Sequence, residues 1–225
     1  MVMHSLINNY TRFGIDAFLK KYPLMSIRPT ADEVLIIEGY LEFNCVYEKN
    51  EPLYDRYKIR IKIDFHKEKS IPVVYELENR IPKKNDFHIY SDNSLCLGSP
   101  IRLLNMVSKY PSLTEFTEMC IIPHLYSCSI KLQQGGAFVI GELEHGNAGL
   151  YTDYMELFNL QSKEQVYNAV KFLSMKKRIA NKQKCLCGCG YRFGYCKVHH
   201  HVNLFRKTAS RAWFRMHYYE LCTNK

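Results

Sequence analysis

The period of the apolar positions changes several times along the chain, and each change marks an element. Leu6, Ile7, Tyr10, Phe13, Ala17 and Phe18 recur at three and four, which predicts an amphipathic helix over residues 3–22, closed by Pro23. Residues 33–46 are rich in branched and aromatic side chains and predict a strand. Residues 57–65 alternate cleanly, with Tyr57, Ile59, Ile61, Ile63 and Phe65 on one face of a half-buried antiparallel strand. A third strand is expected at 72–78, after a turn at Lys67–Ser70. Residues 79–111 follow no period and hold one short helix at 101–108. Ser112 and Glu115 have the spacing of a capping box for a helix over 112–128, which Pro123 should kink or interrupt. Five glycines between Gly135 and Gly149 predict a hairpin and loops over 130–150. Helices are expected at 151–160, 163–178 and 200–222. A helix, then a meander of strands, then helices is an α+β pattern.

Composition narrows the class. The chain has 225 residues, 47% apolar and 13% aromatic, enough for a real core and too aromatic for a solvated coil. No apolar run reaches the ~20 residues that span a bilayer. The opening MVMHSLINNYTRFG has neither a basic stretch nor a continuous apolar one, so no signal peptide, no anchor, no membrane partner and a cytoplasmic location are expected. The net charge of +9 is unevenly placed: residues 1–170 carry 18 Lys+Arg against 21 Asp+Glu, while residues 171–225 carry 13 against Glu220 alone. A basic end on a near-neutral body suits an acidic partner, either nucleic acid or an acidic protein surface, and equally suits a solvated helix.

The nine cysteines are an odd number, and four of them crowd into twelve residues. With no secretion signal, that argues for a metal site in a reducing compartment rather than a disulfide framework. In CLCGCGYRFGYCKVHHH, Cys185, Cys187, Cys196 and His199 can close a tetrahedral zinc site of the structural kind, with Cys189, His200 and His201 as alternative ligands. The string resembles the short zinc motif at the C-terminus of the SecA translocase, Cys-x-Cys, eight residues, Cys, then His or Cys. Lys197 stands where that motif has its fourth ligand.

Cys96 ends a polar stretch that includes Asp86, His88, Asp92 and Asn93, so acid–base and hydrogen-bonding groups lie beside a thiol. A lone cysteine is more often a small buried hydrophobe. Here Pro72, the Arg80-Ile81-Pro82 corner, His88, the string from Asp92 to Leu97, and Tyr110-Pro111-Ser112-Leu113 together resemble the ubiquitin-conjugating enzymes, over roughly residues 5–128. The resemblance is stronger to bacterial members of that fold. With the glycine-rich GELEHGNAG and the SecA-like tail, it extends to proteins of CBASS-type antiphage operons. It implies a catalytic domain of this fold at 1–150 and a helical, basic region at 151–225 with its zinc knuckle at 185–199. It also implies that Cys96 accepts an activated protein C-terminus as a thioester and passes it to an amine. Asp86 or His88 would orient or deprotonate that amine. The implied partners are an adenylating, activating enzyme and, as donor, a ubiquitin-like protein or a cGAS-like nucleotidyltransferase. The family's His-Pro-Asn is His88-Ile89-Tyr90 here, which leaves oxyanion stabilisation to Asn93, Asn85 or His88.

Two other readings compete with that one. In one, the domain is catalytically inactive and binds a partner. In the other, the clusters Lys171–Lys184 and Arg206–Arg215 bind nucleic acid directly. His145, between Glu144 and Gly146, is either part of a site or a hairpin tip. Cys45, Cys120 and Cys128 lie on apolar faces and are expected to pack in the core, and Trp213 is expected to be a packing anchor.

Overall fold

The computed structural model describes residues 11, 13–30, 33–47, 52–139 and 146–223, with the side chains of all of these but 68, 85, 146, 147 and 199. The elements run α1 (Ile15–Lys21), β1 (Met25–Arg28), β2 (Val34–Cys45), β3 (Leu53–Asp64), β4 (Val73–Glu76), α2 (Pro100–Lys109), α3 (Leu113–Phe116), α4 (Ile122–Gln134), α5 (Gly146–Phe158), α6 (Lys163–Ser174), α7 (Lys177–Ala180), α8 (Lys197–Leu204) and α9 (Arg211–Thr223). The chain divides into two compact units. The first runs to Gly98 and resumes at Lys109–Glu142; the second joins Ser99–Ser108 to Leu143–Lys225.

The first unit is built on an antiparallel meander in the order β1-β2-β3-β4. The alternation read in β3 is realised for Tyr57, Ile59, Ile61 and Ile63, all buried, against Leu35, Ile37, Leu41 and Phe43 on the same face of β2, while Phe65 lies past the strand's end and is half-buried. Gly39 interrupts that face because the chain entering β1 crosses it. A Cβ at Gly39 would lie 2.0 Å from the Leu24 carbonyl oxygen. Strand β1 has no sequence signal, since only Met25 of its four residues is buried. Helix α1 starts after Gly14, which is left-handed at φ 59°, so the expected helix over 3–22 is not continuous there; residues 1–10 lie outside the described ones.

Ser112 accepts the Glu115 N–H, and Glu115 caps back, as the spacing predicted. The helical run that follows does not break at Pro123. A π-helical turn at Thr117–Ile121 immediately precedes it and absorbs the hydrogen bond that Pro123 cannot make. The expected hairpin over 130–150 is corrected in part. Helix α4 continues to Gln134 with Ile130 in the core, and Gly135 and Gly136 end it in left-handed conformations. Residues 140–145, including His145, lie outside the described ones.

The second unit is helical. The expected helix over 200–222 is two helices, because the chain turns at Phe205–Lys207 and Ser210 starts α9 afresh by accepting the Trp213 N–H. The turn puts Arg206 against the C-terminal end of α6, where it donates to the carbonyls of Phe172, Leu173 and Met175. Trp213 packs as expected, stacked 4.8 Å from the buried His217 ring. On α5 the fully buried Asp153 accepts from the Arg102 guanidinium and the Ser99 hydroxyl. Arg102 is about a third exposed and also reaches Glu156 at 3.1 Å, so it is removal of the arginine that strands a charge, the Asp153 carboxylate, away from water. Arg102→Leu is therefore expected to cost about 3–5 kcal/mol in chemical denaturation. The double change Arg102→Leu with Asp153→Leu should recover part of that loss.

Candidate functional site

Two places gather chemistry, one in each unit. In the first, the chain leaves β4 through a corner fixed by buried charge. Glu76, 1% exposed, accepts the N–H groups of Glu78 and Arg80. Arg80 forms a bidentate pair with Asp55 at 2.8 and 2.6 Å, and its guanidinium lies 4.2 Å over the Tyr57 ring. Ile81, Phe87, Ile89 and Leu95 are buried, so the segment without periodicity is anchored by separate apolar contacts.

Its end is stitched to the open edge of β4. Leu95 N–H donates to Val74, Asn93 accepts from Glu76, and Ser94 faces Tyr75 across an antiparallel bridge. Ile89 pairs with Leu95, and Cys96 N–H donates to the His88 carbonyl at 2.8 Å. The reversal between them uses a left-handed Asn93 (φ 66°) and the Asp92 carboxylate, which accepts both N–H and O–H of Ser94. Cys96 is thus a half-buried thiol held one residue past a paired strand.

Besides Asp92, the three residues singled out around it are placed as follows. His88 meets Cys96 through its backbone, and its ring packs edge-on against Phe138. The Asp86 carboxylate lies 3.3 Å from Lys131 of α4, whose ammonium also donates to the Asp86 carbonyl. Asn93 donates its amide to Asn79 at 2.8 Å. The side chain that reaches the sulfur is one the sequence reading passed over. Tyr90 donates its hydroxyl to Cys96 Sγ at 3.2 Å. Partial burial and this hydrogen bond push the phenol above its ordinary pKa, so it keeps the proton it donates. The only signal in the sequence was a hydroxyl-bearing side chain six residues before the thiol. Burial raises the other body thiols, Cys45 and Cys128 among them, and pushes Cys120 up to about 11. Cys120 and Cys128 pack in the core as expected, and Cys45 is half-buried.

Beside His88, His124 of α4 is buried, 5.4 Å from the Phe138 ring. Burial, with His88 nearby, lowers its pKa to about 3. An unfolded chain takes up this proton near pH ~6.5 and the folded chain does not, so the stability is complete above that pH and falls as the medium is acidified towards 3. The expected slope is roughly 1 kcal/mol per pH unit. Denaturation at pH 7.5 and 5.0 should show it, and His124→Phe should flatten it.

In the second unit, Cys185, Cys187, Cys189 and Cys196 bring their sulfurs within 4.8 Å of one another, close enough to hold a metal ion. The Cys185–Cys187 and Cys187–Cys196 separations are 3.3 and 3.5 Å. A tetrahedron of ~2.3 Å metal–sulfur bonds has edges of ~3.8 Å, so the donor set fits. Gly188, left-handed at φ 77°, lets so short a stretch fold back on itself. Residues 183–193 pair as a small hairpin, and Phe193, fully buried, packs 5.0 Å from Phe172 of α6. The fourth sulfur is Cys189, one of the alternatives read from the sequence. The His199 side chain lies outside the described ones, and His201 instead contacts the Leu157 carbonyl.

No helix among the described residues is long and apolar enough to cross a membrane. Comparison with family models, with curated proteins and with solved structures finds no match to this chain.

Proposed function

We propose that the first unit carries an acyl group as a thioester on Cys96, in the manner of a ubiquitin-conjugating enzyme, and passes it to an amine. The observation that carries the reading is the half-buried Cys96 thiol pinned at the sheet edge with the Tyr90 hydroxyl 3.2 Å from its sulfur. The element order supports it: a helix, a four-stranded meander, an irregular segment ending at the thiol, then a helix. The Cys96 thiolate attacks the carbonyl carbon of an incoming thioester, and the activating enzyme's thiolate leaves. The acceptor amine then attacks the new thioester, gives its proton to solvent, and Cys96 departs as thiolate. In both steps Tyr90 donates to the oxygen that becomes negative. The donor of this reading is a ubiquitin-like protein or the C-terminus of a cGAS-like nucleotidyltransferase, in antiphage defence. In the second unit the four sulfurs hold a structural zinc ion.

The test is intact mass under non-reducing conditions after incubation with an activating enzyme, ATP and each donor. A mass increment that thiol reagent removes supports the reading. With a donor-loaded activating enzyme present, no increment and no alkylation of Cys96 in the folded protein would leave the domain a binding module.

A further inference from the structure

The metal-holding knuckle presents an unusual surface. Tyr191 is 69% exposed and Tyr195 83%, and each is a large ring that folding leaves in water. Both stand on the stretch that the four clustered cysteines span, seated in the second unit through Phe193. The residues around them are basic. Lys182, Lys184, Arg192 and Lys197 are exposed, and none has an ion pair among the described residues. Beyond residue 170 the chain carries one acid, Glu220, and its carboxylate is 3.0 Å from His217.

Lys184 and Arg192 face each other directly across the hairpin. The hydrogen bonds run from Cys185 to Tyr191 and from Phe193 to Gln183, so the pair between them is the closely spaced, non-hydrogen-bonded kind. Like charges directly opposite destabilise a hairpin. That cost is relieved when an anion sits between the two cations. A phosphate would use the charges alone; exposed aromatic rings beside them add a surface on which unpaired bases stack.

We propose that this knuckle binds single-stranded nucleic acid, with phosphates on Lys182, Lys184, Arg192 and Lys197 and bases stacked on Tyr191 and Tyr195. Arg206, which belongs to one of the basic clusters in the sequence, is excluded from the contact because it is spent on the carbonyls at the end of α6. The activity is independent of Cys96.

The test is fluorescence anisotropy of labelled dT20 and rU20 with the full-length chain, purified without chelator. Binding is expected at low salt. Its affinity should fall with a log–log salt slope of about −2 to −3, the value for three to four neutralised phosphates on a single strand. Tyr191→Ala with Tyr195→Ala should weaken binding about tenfold or more at an unchanged slope. Lys184→Gln with Arg192→Gln should make the slope shallower. Comparing dT20 with rU20 shows whether the sugar matters. All four positions are on the surface, so the variants should fold. No anisotropy change overturns the proposal. So does equal competition by duplex DNA or polyglutamate with no effect of the tyrosine changes, which would mean attraction by charge alone.

Discussion

Cys96→Ala should abolish the thiol-sensitive adduct, Cys96→Ser should retain it as a stable oxyester, and Tyr90→Phe should slow transfer about 100-fold while the fold is unchanged. The first two outcomes follow from the nucleophile. Without sulfur there is no acceptor, and an alkoxide, once acylated, is a poorer leaving group than a thiolate. The third follows from geometry. Tyr90 keeps its proton, and its hydroxyl lies 3.2 Å from the sulfur. A carbonyl carbon bonded to that sulfur places its oxygen within reach of the same hydroxyl. Removing one such donor from an acyl-transfer site costs about 10²–10³ in rate. Two readouts separate that role from a simpler one. If Tyr90 only favours the Cys96 thiolate, Tyr90→Phe slows alkylation and loading together and leaves discharge to an amine unchanged. If it stabilises the oxyanion, discharge of the preloaded chain slows as well. A Tyr90→Phe variant that matches wild type in all three would remove the phenol from the mechanism. Asp86→Asn should matter less, because its carboxylate is engaged by Lys131 rather than turned to the sulfur.

The meander was legible because β2 and β3 obey a period of two over long stretches, and the capping box at Ser112 because its chemistry is local. Strand β1 was not. Four residues with one buried side chain carry no period, and its place depends on β2 and on the clearance that Gly39 provides. The helical course of 130–134 was hidden because Gly135 and Gly136 read equally as a hairpin turn or a helix end; only the burial of Ile130 against the core decides. The same limit applies at the site. Cys96 was visible as a thiol among polar residues, whereas the Tyr90 contact depends on an Ile89–Leu95 pairing that folds six residues back on themselves. Arg206 counts in the sequence as one charge of a basic cluster, because sequence shows charge and not the three carbonyls that take it. The cysteine cluster was legible as a set, but its fourth member is a matter of which side chain the left-handed glycines turn inward.

Removing the metal should have the largest structural effect in the second unit. One zinc ion per chain is expected in protein purified without chelator. A strong chelator, or Cys187→Ser, should lower the melting temperature of the second unit by roughly 20 °C, the shift that about 4 kcal/mol makes in a unit of this size. The knuckle has little else to hold it. Its stretch from Cys185 to Cys196 contributes Phe193, Leu186 and Cys185 to the interior and a few backbone pairs: Cys185 to Tyr191, Phe193 to Gln183, Gly194 to Asn181. Structural zinc supplies on the order of 10 kcal/mol or more to small peptides that are unfolded without it. Here the Phe193 anchor retains part of the fold, so the loss is smaller and confined to one unit. The ligand set is tested by two substitutions. Cys189→Ser should release the ion, since its sulfur is within 4.8 Å of the other three. His199→Ala should retain it. The reverse result would give the fourth position to the imidazole, and a melting temperature indifferent to both chelator and Cys187→Ser would mean that the four thiols meet without a metal. Because Tyr191 and Tyr195 stand on this stretch, chelation should also abolish binding of dT20, whereas loading of Cys96 should continue.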